Sequence, residues 1–104
     1  MRGKSLRLTN DQVNRIRSVA ARILGVDARV RVFGSRARDD ARGGDIDLLF
    51  ETDAVLQNRA ETLCRLHGAL TLALGERKID ILLKDARTPK APILERAQRT
   101  GVAL

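Results

Sequence analysis

Apolar residues recur at three- and four-residue intervals in two long stretches, and alternate with polar residues in three short ones. Over residues 9–24, Val13, Ile16, Val19, Ala20, Ile23 and Leu24 fall on one side of a helical wheel, with Arg15, Arg17 and Arg22 largely off it. Thr9 with Gln12 has capping-box spacing, Leu8 with Val13 that of a hydrophobic staple, and Gly25 supplies a stop. Residues 28–33 alternate as Ala28, Val30, Val32 against Arg29, Arg31, Phe33, a strand that ends at Gly34. Residues 38–44 hold Asp39-Asp40 and Gly43-Gly44 and read as a loop, and residues 45–50 return as a second strand. Residues 53–74 predict a second helix, with Leu56, Ala60, Leu63, His67, Leu70 and Leu74 near one stripe and Gly75 just beyond. Residues 78–83 predict a third strand. Pro89 and Pro92 precede a final helix over 93–100 that packs through Ile93, Leu94 and Ala97.

The order helix–strand–strand–helix–strand–helix describes an α+β (mixed α/β) domain. The link between the first two strands is too short for a helical crossover, so those strands pair antiparallel. The helix between strands two and three is long enough for a parallel crossover. The expected architecture is a mixed sheet of three strands or slightly more, with helices packed mainly on one side. At 104 residues the chain is expected to form one domain, residues 1–104, with no repeat or linker.

Composition narrows the partners more than the fold. A net charge of +7 favours phosphates, nucleic acid or an acidic protein surface. Phe33 and Phe50 are the only aromatic residues, so the platforms on which single-stranded nucleic acid stacks are missing, and no helix-turn-helix is recognisable. Direct nucleic-acid binding therefore ranks low. Cys64, the single cysteine, is expected as a buried inert thiol, and His67, on the apolar stripe, as a core or boundary histidine. Neither has the companions a zinc site needs. With no long apolar run and no leader pattern, the chain is expected to be cytoplasmic and off the membrane.

The chemistry concentrates in Val32-Phe33-Gly34-Ser35-Arg36-Ala37-Arg38 and in Asp45-Ile46-Asp47-Leu48-Leu49-Phe50. Gly34-Ser35 is a turn at which the backbone can approach an anion closely. On a strand, Asp45 and Asp47 point the same way while Ile46 and Leu48 point the other. Asp80, between Ile79 and Ile81, joins them if the third strand lies beside the second. Three converging carboxylates would hold hard divalent cations such as Mg²⁺, and two such ions would serve an attacking hydroxyl and a leaving pyrophosphate. A P-loop is excluded, because Gly34-Ser35 is not followed by Gly-Lys-Ser/Thr.

Gly34-Ser35-Arg36-Ala37-Arg38, then Gly44-Asp45-Ile46-Asp47-Leu48, and later Asp80, resemble the DNA polymerase beta-type nucleotidyltransferase superfamily, and the short length resembles its minimal nucleotidyltransferases. The resemblance spans most of the chain, roughly Val13 to Leu94. It implies a small nucleotidyltransferase fold that binds a nucleoside triphosphate, ATP by family expectation, with two Mg²⁺ ions. By the same resemblance Gly34, Ser35, Arg36 and Arg38 would contact the triphosphate, and Asp45, Asp47 and Asp80 would be the catalytic, metal-holding carboxylates. Gly44 stands where many relatives have a serine or another small polar residue, which leaves the carboxylates intact.

Larger members carry a second domain that selects the acceptor, and these 104 residues are expected to hold none. Minimal nucleotidyltransferases are often paired, as antitoxins, with helical toxin ribonucleases of the HEPN family, and some transfer AMP to a toxin tyrosine. With no tyrosine in this chain, a tyrosine acceptor would come from a partner. A non-catalytic antitoxin that neutralises its partner by steric cover is the alternative. An aminoglycoside-modifying transferase ranks low, because a very basic chain suits a polycationic substrate poorly. A complex or homo-oligomer is also expected, to cover apolar surface left by so few helices.

Overall fold

The computed structural model describes residues 8–33, 46–75 and 77–104. Three helices, α1 (Asn10–Leu24), α2 (Arg59–Leu74) and α3 (Pro92–Thr100), accompany four strands, β1 (Arg29–Val32), β2 (Ile46–Glu51), β3 (Ile79–Lys84) and β4 (Val102–Ala103). The sheet order is β3-β2-β1-β4. β1 runs antiparallel to β2 and to β4, and β3 runs parallel to β2. The mixed sheet, the antiparallel first pair and the helical crossover agree with the sequence pattern. The short fourth strand is an addition, since two residues carry no periodicity of their own.

Alternation along the strands sorts the side chains into two layers. Val30, Val32, Ile46, Leu48, Phe50, Ile79 and Leu83 face α1 and α2, where they meet Ile16, Val19, Leu66 and Leu70 in the main core. Burial of each such side chain stabilises the fold by about 1.5–3 kcal/mol. On the opposite face Leu49 packs with Leu94 and Ala97 of α3, flanked by Phe33, Leu82 and Ala91. Two helices of three thus cover one face, and the third covers part of the other.

Local signals set the helix ends. Thr9 and Gln12 form the reciprocal capping box at the start of α1, and Gly25 closes it at φ 112°, a conformation that disfavours any side chain. α2 begins at Arg59, six residues later than the periodicity suggested. Asn58 accepts from the Glu61 amide and caps it, while the segment before it is held as a loop. There the Asp85 carboxylate accepts from the Leu56 amide at 2.9 Å, and Ala86 N–H donates to the Ala54 carbonyl. The buried stripe of α2 also differs from the expected one. Leu66, Leu70 and Leu74 are buried, whereas Ala60, Cys64 and His67 are exposed. The buried thiol expected from the sequence is corrected, and His67, expected as a core or boundary histidine, is exposed and outside the core. Ile93 is 55% exposed, so α3 packs through Leu94 and Ala97.

Candidate active site

Asp47 and Asp80 each stand second in their strand, and the parallel register sets them opposite one another. Neighbouring strands lie about 4.8 Å apart, so the two carboxylates leave the sheet side by side. Their chain neighbours Ile46 and Ile79 point into the main core, which turns both aspartates to the face that α3 partly covers. Asp80 is exposed and Asp47 half-buried. The Phe33 amide donates to the Asp47 carbonyl at 3.0 Å and the Ile46 amide to the Lys78 carbonyl at 3.0 Å, which fixes the backbone on both sides of the pair. The arrangement therefore rests on backbone hydrogen bonds and a buried alternate set, and needs no contact between the carboxylates.

Asp45, Gly34, Ser35, Arg36 and Arg38 lie outside the described residues. Among the described residues no three acidic, histidine or cysteine side chains gather as a metal cluster. The donor set of Asp47 and Asp80 is nonetheless chemically suited to a divalent cation, because adjacent carboxylates offer hard oxygen atoms and gain from a shared positive charge.

Further along the same face is a charged group that the sequence pattern did not single out. Glu51 is buried at 4% exposure. Its carboxylate accepts a short hydrogen bond from Gln98 of α3 and lies 3.8 Å from Arg29 Nε and 3.6 Å from Arg31 Nε. Continuing the alternation 45, 47, 49 one step past the expected strand end would have found it. Asp85, 1% exposed, is the other missed acid. The Leu56 amide and then the Thr88 hydroxyl donate to it and hold its carboxyl below the usual range. Both acids are fastened to their own partners, in contrast with the exposed Asp80.

The sequence profile of the nucleotidyltransferase domain matches residues 13–99, most of the chain. The chain belongs to the nucleotidyltransferase domain family. Comparison with curated proteins finds no match. Domains of this family generally use a nucleoside triphosphate with a divalent metal, and the general reaction they perform is nucleotidyl transfer. In this nucleotidyltransferase the in-register acidic pair stands inside the matched span. Among the described residues no helix is long and apolar enough to cross a membrane.

Proposed function

We propose that the protein is a Mg²⁺-dependent nucleotidyltransferase that moves AMP from ATP to a hydroxyl of a partner protein, as the antitoxin of a HEPN-type toxin. The side-by-side placement of Asp47 and Asp80 on an accessible part of the sheet carries this reading, together with membership of the family. Asp47, with Asp45, would hold the metal ions at the triphosphate. Asp80, the more exposed carboxylate, would hold the ion nearest the acceptor and take up the hydroxyl proton as general base. Bound Mg²⁺ would supply charge neutralisation at the phosphates. Gly34, Ser35, Arg36 and Arg38 would seat the triphosphate. The lack of any tyrosine in the chain supports an acceptor in another protein.

The test is incubation with α-³²P-ATP, Mg²⁺ and the protein encoded beside it, with an Asp45→Asn/Asp47→Asn double variant in parallel. Label on the neighbour that disappears with the variant is the expected result. A tight complex without label would instead make the chain a binder that acts by steric cover.

A further inference from the structure

An open groove of about 700 Å³ runs between α1 and α2, which cover the sheet face opposite Asp47 and Asp80. Its floor is apolar and small, with Val19, Ala69 and Ala73, and Leu72 stands at its edge with 88% of its surface exposed. Three arginines line it. Arg15 is engaged, bound to Asp11 at 2.8 Å and donating to the Ala73 carbonyl at 3.2 Å, which ties the two helices together. Arg22 and Arg65 are exposed and have no acidic partner among the described residues.

An exposed leucine above alanines, flanked by two cations with no ion-pair partner among the described residues, calls for an occupant with one apolar stripe and acidic flanks. We infer that the α1/α2 groove is a docking surface for an acidic amphipathic helix of a partner protein. The apolar part of the match is leucine-sized side chains laid along Leu72, Ala69 and Ala73. The polar part is glutamate or aspartate opposite Arg22 and Arg65, which sets orientation and speeds encounter. A second copy of this chain is a poor occupant, since it would bring the same arginines against themselves. Nucleic acid would satisfy the arginines and leave Leu72 without a match, and no aromatic side chain lines the groove for a base to stack on. Because the groove and the acidic pair lie on opposite sides of the sheet, a helix docked here leaves the carboxylate face open.

The inference stands apart from the proposed nucleotidyl transfer, since binding is read without nucleotide or metal, and either reading can fail alone. The probe is a fluorescein-labelled model helix of about 20 residues, leucine on one stripe and glutamate on its flanks, against the same peptide with lysine in place of glutamate. Anisotropy with the full chain is expected to give saturable, salt-sensitive binding of the glutamate peptide only. Arg22→Glu/Arg65→Glu should weaken it by about tenfold or more, and Leu72→Ser by several-fold. All three positions are exposed, so unchanged far-UV circular dichroism is expected for both variants. Equal binding of the two peptides, no saturable binding, or full affinity in the double variant would overturn the inference. So would a duplex or RNA that binds the groove tightly in an Arg22- and Arg65-dependent way, or a concentration-dependent dimer that the double variant abolishes.

Discussion

The two faces of the sheet are built on opposed principles. The face toward α1 and α2 is apolar at every described strand position, and Leu48 and Phe50 are completely buried there. The face toward α3 mixes Phe33, Leu49 and Leu82 with Asp47, Glu51, Asp80, Arg29 and Arg31. A single strand such as β2 serves both at once through its period of two. The face toward α1 and α2 holds the larger apolar core, and the other combines a smaller one with charges.

Substitutions on the two faces should therefore separate activity from stability. The largest effect is expected from Asp47→Asn or Asp80→Asn, each lowering label transfer by about a hundredfold or more. Thermal melting should leave the Asp80→Asn midpoint unchanged or raised, because removing one of two adjacent carboxylates relieves repulsion. Leu48→Ala, one residue away on the other face, should do the reverse. Urea denaturation is expected to show a loss of about 2–5 kcal/mol, with the activity of the still-folded fraction retained.

Glu51→Ala probes the boundary between the two principles, since it strips a buried acceptor from Gln98 and leaves Arg31 without its counter-charge. A loss of about 1–3 kcal/mol in the same urea experiment is expected, with Glu51→Gln recovering part of it. The smallest effect concerns the strand ends. The Asp85 carboxyl is held below its usual range by the Leu56 amide first and the Thr88 hydroxyl second. Its contribution is thus complete above the ordinary carboxylate pKa and is lost as pH falls through the depressed folded value. Asp85→Asn should flatten the acid limb of a stability–pH curve while leaving its slope near neutrality unchanged.

Much of this arrangement is legible in the chain itself. Capping at Thr9, alternation in β1 to β3 and the short link between the first two strands give the mixed sheet. The position of Asp80 between two isoleucines anticipates its pairing with Asp47. What escaped the pattern depends on contacts distant in sequence. The late start of α2 follows from Asp85, which seizes the Leu56 amide across the sheet's end. The exposure of Cys64 and His67 goes with the burial of Leu66, Leu70 and Leu74, a stripe at four-residue spacing on the side of α2 that meets the sheet. β4 exists because its two residues find the free edge of β1. It also needs Gly101, where an added Cβ would come within 2.5 Å of the Ala97 carbonyl oxygen.

The parallel register of Asp47 and Asp80 has a consequence for how the molecule comes into being. The two residues belong to strands separated by the whole of α2, so the pair cannot form from any local segment. Closing that long loop is the entropically costly, slow kind of contact in folding. Until it closes, Asp80 is separated from the Asp45-Ile46-Asp47 stretch and adds nothing to its cation affinity. Cation binding by the pair would then report on the joining of β2 and β3, and during refolding it should rise with that step of strand pairing and not with helix formation.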